Sequence, residues 1–235
     1  MDSFQELAGE VRSLREQIVL KERLAALGEV SAGIAHELRN PLGVIAGYGR
    51  LLLKSFDAGD ERSELVQKIL GEVEEMNRVI EELSRFSKIE RVEKADVEIS
   101  RVVGDVVESM GMEGRNVEIS LNEMLRVKGD EALVKQAVRN LIQNGIEAGR
   151  RVWVDAHRAS VGGKDGVTVK VRDDGEGIAP EDLEKVFLPF YTRKERGMGI
   201  GLSLVQKIAQ AHKGRVTVES TRGKGSTFHL FLPNE

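Results

Sequence analysis

"FLPFYTRKERGMGIGLSLVQKIAQAH", residues 187–212, decides how the second half of this chain folds. Glycines at 197, 199 and 201 stand directly before an apolar-periodic run. A Gly-x-Gly-x-Gly run that opens a helix suits a dinucleotide-binding Rossmann site only where a β-strand leads straight into the glycines. Here the lead-in is the polar, basic "YTRKER", which makes no buried strand and fits a lid. The first amides of the following helix can still face phosphates. The Rossmann reading is therefore set aside, and the neighbouring segments must say what kind of site this is.

Upstream, "DDGEGI" (173–178) closes an apolar strand, and Gly175 and Gly177 permit close backbone approach there. A carboxylate in that place can accept a hydrogen bond from an exocyclic amine, although a plain turn explains the spacing equally well. Further back, "NLIQNGIEAG" (140–149) puts Asn140 and Asn144 one helical turn apart, on one face. Downstream, "RGKGSTFHLFLP" (222–233) is a glycine turn entering a closing strand. Strand-like runs at "NVEISL", "RVWVDAH", "GVTVKVRD", "GRVTVES" and "STFHLFL" alternate with expected helices over 100–110 and 130–148, the latter capped by Asp130. This pattern predicts a mixed α/β sandwich over residues 96–235.

The first half has a different grammar. Phe4, Leu7, Val11, Leu14 and Ile18 recur in steps of three and four, a heptad seam expected to form a coiled coil over residues 1–23. The seam resumes at Leu24, Leu27, Ser31, Ile34 and Leu38 after slipping by one residue near Lys21, a break that changes coiled-coil winding. Polar "SFDAGD" (55–60) interrupts the helix, and a second amphipathic run follows with Leu65, Ile69, Val73, Met76, Ile80 and Leu83. Residues 24–92 thus read as a helical hairpin. One hairpin cannot bury an apolar stripe along its whole length, so two are expected to pair as a dimeric four-helix bundle.

Within the first helix lies "GIAHELRNP" (33–41). Successive helical residues turn by about 100°, so with Ile34 and Leu38 inward His36 points outward, and Asn40, four residues on, shares its face. Pro41 withholds the N–H that would bond the carbonyl of Glu37 and favours a kink there. No second His, Asp or Glu stands at i+4, which speaks against a metal site. A general base and a nucleophile accepting a group on a ring nitrogen both remain open. His157, His212 and His229 match no chemical position and read as structural or solvated.

Composition bounds these readings. The 235 residues suffice for two modest domains, and a net charge of −4 points to neither nucleic acid nor an anionic membrane as the main partner. There is no cysteine, which excludes disulfides, thiolate metal sites and cysteine nucleophiles. No apolar run approaches the ~20 residues of a membrane span, and no signal-peptide core is present, so a cytoplasmic location is expected.

Taken together, "AHELRNP" and the four later stretches, in this order and spacing, resemble the transmitter core of a bacterial sensor histidine kinase. The first resembles the phosphoacceptor box of the dimerisation domain. The others resemble the N, first glycine, F and later glycine boxes of the ATP domain shared with gyrase and heat-shock chaperones. The resemblance implies ATP and Mg²⁺ as cofactors, a homodimer, and a response-regulator receiver as partner. It implies His36 as phosphoacceptor and Glu37 as the group that holds or deprotonates its imidazole. Asn144 would ligate Mg²⁺, Asn140 would lie near the phosphates, and Asp173 would recognise the adenine amine, with Gly175 and Gly177 making room. Lys194, Gly197, Gly199 and Gly201 would form the ATP lid, and Thr227 would stand beside the nucleotide. Asn40 matches the position that orients water for the reverse, phosphatase reaction.

Related ATPases such as gyrase carry a glutamate base where this chain has Asn140, and an amide cannot take up a proton at neutral pH. That favours phosphorylation of His36 over plain ATP hydrolysis. A catalytically silent nucleotide-binding adaptor is the remaining alternative, and intact His36, Asn144 and Asp173 argue against it. Gly145 departs from the family, which more often has alanine. The outward strip Gly43 and Gly47 below His36 offers clearance for a receiver. Neither the stimulus nor the identity of the regulator is written in these residues.

Overall fold

The computed structural model describes residues 37–57, 60–87, 89, 92–111, 116–121, 124–194 and 199–234. They fall in two compact units, within Met1–Lys88 and Ile89–Glu235. The expected coiled coil, its frame slip near Lys21, the outward aim of His36 and the place of Gly197 lie outside the described residues.

The first unit is a helical hairpin. Helix α1 is described over residues 37–55 and α2 over Arg62–Ser87. Pro41 sits within α1, four residues from where its description begins. Asp60 starts the return helix by accepting the Arg62 N–H at 2.9 Å, an aspartate capping free backbone donors. Leu42, Ala46, Val73 and Ile80 are buried together, with Leu70 packed against them. Gly49 lets the helices close, since a Cβ there would lie 2.8 Å from Leu70 Cδ2.

The expected stripe of α2 is divided by this packing. Val73 and Ile80 turn inward, while Leu65, Ile69 and Met76 stay 50–61% exposed. On α1, Leu38, Ile45 and Leu52 recur every seventh residue and stay 45–49% exposed. Each helix therefore carries an apolar arc wider than its one neighbour covers.

The second unit is an α/β sandwich. Its large sheet runs β2(Val117–Ser120), β4(Val152–Val161), β5(Lys164–Asp173), β7(Ser226–Pro233), β6(Arg215–Ser220) from edge to edge. β2 is parallel to β4 and every other pairing is antiparallel. Alternation puts Val154, Val169, Val171, Phe228 and Leu230 on a buried face, whereas Trp153, Lys170, Arg172, Thr227 and His229 take the other. Helices α3(Ile99–Ser109), α4(Glu131–Ala148) and α5(Gly201–Ala211) supply the second layer, with Val102, Leu141, Ile142, Leu204 and Ile208 wholly or almost wholly buried. Asp130 caps α4 as expected, accepting from Ala132 and Leu133 N–H at 3.0 and 3.2 Å.

Two strands were not foreseen. β1(Ala95–Glu98) and β3(Arg126–Gly129) form a separate antiparallel pair. At four residues each, their alternation is too short to stand out from the surrounding charged sequence.

Candidate nucleotide site

Asp173 ends the central strand β5 and is only 2% exposed. Its Oδ1 accepts the N–H of Gly175 at 2.8 Å and of Ser226 at 3.2 Å. Both of these bonds fall on one oxygen, Oδ1. Burial pushes the carboxyl pKa up, against the two backbone donors that pull it down.

The glycines around Asp173 permit close approach of chain to chain. A Cβ on Gly175 would lie 2.4 Å from the Ala148 carbonyl oxygen, and one on Gly177, at φ +70°, 2.2 Å from that of Thr221. Gly145 of α4 is less tightly held: its Cβ would meet Val152 Cγ2 at 3.0 Å and Asp173 Cβ at 3.5 Å, so α4 packs closely on the strand end there.

Thr227 faces away from this cluster, on the sheet side opposite Ser226. The expectation that Thr227 stands beside the nucleotide is corrected accordingly. The contact to Asp173 from this strand is the backbone N–H of Ser226, while the Ser226 hydroxyl, on the inner face, meets that of Ser220 at 3.0 Å.

On α4, Asn144 and Glu147 jointly hold a cation. Lys194 Nζ lies 2.8 Å from Asn144 Oδ1 and 2.6 Å from Glu147 Oε2. Gln143 fixes the other Glu147 oxygen at 2.8 Å. Burial raises the Glu147 pKa, but Lys194 and Gln143 outweigh it and the carboxyl is held below its ordinary range. Here the ammonium stands in for any cation the two oxygens would take, and an all-oxygen pair suits Mg²⁺. Glu147 was missed in the sequence, although its spacing of three from Asn144 puts both on one face.

Asn140 uses its amide differently. Its Nδ2 donates to the Gly201 carbonyl at 3.3 Å and so ties α4 to the first turn of α5. The segment leading to that turn is pinned at its base: the Phe190 N–H donates to the Gly199 carbonyl at 3.0 Å. Phe190 and Gly199 both take positive φ, at 64° and 67°. Arg193 and Lys185 pair with buried Asp182, which anchors the stem before Lys194. Gly201 is not constrained in this way, since nothing lies within 4 Å of the place its Cβ would take.

In the hairpin unit, Glu37 and Asn40 are exposed on α1. Gly43 and Gly47 are exposed too, with open space where a Cβ would stand. Of the other histidines, His157 and His229 lie on strands 3.5 and 3.8 Å from Asp155 and Glu219. His212 is buried at 3%. No described helix is long and apolar enough to cross a membrane.

Two family models match the chain. Residues 26–92 match the His Kinase A (phospho-acceptor) domain, and residues 129–235 the histidine kinase-, DNA gyrase B- and HSP90-like ATPase. Sensor histidine kinase ZraS of Salmonella typhimurium is 36% identical over 227 residues, covering 94% of this chain and 49% of its own length. Signal transduction histidine-protein kinase AtoS of Escherichia coli is 33% identical over 236 residues, 94% of this chain and 37% of its own. The chain thus spans about half the length, or less, of these curated relatives. Among solved structures, histidine kinase ThkA in complex with response regulator protein TrrA superposes with a TM-score of 0.61 at 27% identity, over 96% of this chain and 67% of that one.

Proposed function

The chain belongs to the two-component sensor histidine kinases as a transmitter core, and from that premise we propose that it phosphorylates His36 from ATP and hands the phosphoryl group to an aspartate of a response-regulator receiver. A ring nitrogen of His36 attacks the γ-phosphorus, the bond to the bridging oxygen breaks, and ADP leaves. Glu37 takes or holds the imidazole proton. Asp173 Oδ2 accepts from the adenine amine, and Lys194 with the first amides of α5 faces the phosphates. Bound Mg²⁺ would neutralise phosphate charge from a seat on Asn144.

The observation that carries this reading is the Asn140 amide, which donates to the Gly201 carbonyl. A side chain so used offers no carboxylate to deprotonate water, which supports phosphotransfer over hydrolysis.

The exposed apolar arcs of α1 and α2 support a homodimeric four-helix bundle. The open strip at Gly43 and Gly47 supports approach of a receiver along α1. The complex of ThkA with TrrA supports a partner of the same kind for this chain. Asn40, exposed on α1, would orient water on a phosphorylated receiver, so phosphatase action belongs to the same proposal.

The test is incubation with γ-labelled ATP and Mg²⁺, comparing the intact protein with His36→Gln. The expected label is acid-labile, alkali-stable and absent from the variant. Nucleotide binding without label would favour a silent adaptor, and label surviving in the variant would move the acceptor elsewhere.

A further inference from the structure

We propose that Asn144 and Glu147 form one divalent-cation seat, which Lys194 fills with its own ammonium until a metal-bound nucleotide displaces it. The proposal rests on reading this site as one for Mg²⁺-nucleotide, and adds to it a second metal ligand and an internal placeholder.

Four contacts carry it. Lys194 Nζ bridges Asn144 Oδ1 at 2.8 Å and Glu147 Oε2 at 2.6 Å, so two oxygens on one face of α4 already converge on a single cation. Gln143 Nε2 holds Glu147 Oε1 at 2.8 Å, which aims the carboxylate without lysine's help. Asp182 and Arg193 anchor the chain one residue before Lys194, so the ammonium is delivered by a fixed stem.

Charge explains the device. An asparagine oxygen alone is a weak ligand for a hard dication, and a carboxylate beside it strengthens the site. With nothing on the seat, Glu147 would sit beside the incoming phosphates as a like charge. Lys194 cancels that charge in the nucleotide-free protein. The pair is part-exposed, with side-chain accessibilities of 39% and 43%, and such pairs are weak and easily exchanged. Exchange needs no proton transfer: the metal takes the two oxygens, and Lys194, still an ammonium, is left next to the phosphates that brought it.

The test uses Mn²⁺ alone on the full chain without nucleotide, with free ion counted by electron paramagnetic resonance. Lys194→Met is expected to tighten Mn²⁺ binding by about tenfold or more, as the competing charge is gone. Glu147→Gln added to Lys194→Met is expected to erase that gain. Unchanged Mn²⁺ binding in Lys194→Met, or a gain that survives Glu147→Gln, would overturn the proposal. Calorimetric titration of ADP supplies the second readout, as the ratio of affinities with Mg²⁺ and with chelator. Glu147→Gln should shrink that ratio by lowering the affinity measured with Mg²⁺, without weakening metal-free binding, and an unchanged affinity with Mg²⁺ would also overturn it. Failure of ADP to bind under either condition would sink the nucleotide reading itself, while the Mn²⁺ titrations still decide the seat.

Discussion

The backbone N–H of Asp130 donates to Nε2 of His212 at 2.9 Å, while Nδ1 of the same ring meets the Ile208 carbonyl at 2.8 Å. The carbonyl can only accept, so Nδ1 carries the proton and Nε2 is left as an acceptor. One buried imidazole thereby joins the end of α5 to the cap of α4. The fit is tight: a Cβ on Gly129 would lie 2.7 Å from the ring. His212→Ala empties this space and strands a backbone donor, so it should cost about 2–4 kcal/mol, read as a lower denaturation midpoint of the second unit. A loss under ~1 kcal/mol would show that water replaces the ring.

Asp173 should trade stability for binding. Its folded-state pKa is raised above the ordinary 3.8, chiefly by burial. The stability this group contributes is then fully present below its unfolded value and is lost as pH rises through its folded value. At neutral pH the buried charge is a burden. Asp173→Asn keeps an oxygen for the Gly175 and Ser226 amides, so the variant should melt higher than the parent at pH 7. Adenine nucleotide affinity should fall about a hundredfold, since the buried acceptor for the amine is gone. In the parent, binding should fade on acidification at a higher pH than an exposed aspartate would give. A variant that melts lower, or binds as well, would contradict the assignment.

Glycines 177 and 201 look equivalent in sequence and should respond oppositely to alanine. Gly177 has φ +70° and a carbonyl oxygen 2.2 Å from its Cβ position, so alanine should cost at least about 2 kcal/mol. Gly201 opens a helix with nothing near, and alanine there should leave stability unchanged or raise it by up to ~1 kcal/mol. Paired melts of the two variants decide this.

Gly43 separates two reasons for a small residue on α1. Open space at its Cβ position means Gly43→Ala should stabilise the hairpin by about 1 kcal/mol. Gly43→Arg should leave labelling of His36 intact and slow transfer to the receiver, as followed by loss of label from the kinase. Unchanged transfer would remove the strip as a docking surface.

The sequence exposed the second unit's architecture because its signals are redundant. Four strands, β4 to β7, run for six to ten residues each, Asp130 caps a helix, and glycine runs mark the turns. It could not show which glycine answers to which neighbour: Gly175 and Gly177 are set by Ala148 and Thr221, contacts made only by the fold. Glu147 was passed over because a glutamate on a polar helix face is ordinary until Lys194 reaches it from 47 residues away. Thr227 falls on the outer face because alternation along β7 puts Ser226 and Phe228 inward. β1 and β3 escaped because each carries a single buried apolar side chain, Val97 or Val127, among charged neighbours.

The uncovered arcs of the hairpin carry a consequence for how the protein responds to its own abundance. Leu38, Ile45 and Leu52 on α1 and Leu65, Ile69 and Met76 on α2 would leave water if a second molecule paired with the hairpin as proposed. Folding of this unit and its self-association are then linked by mass action, so its melting temperature should climb with protein concentration while that of the α/β unit stays level. Dilution alone would loosen the helix on which Glu37 and Asn40 stand, leaving the nucleotide site whole.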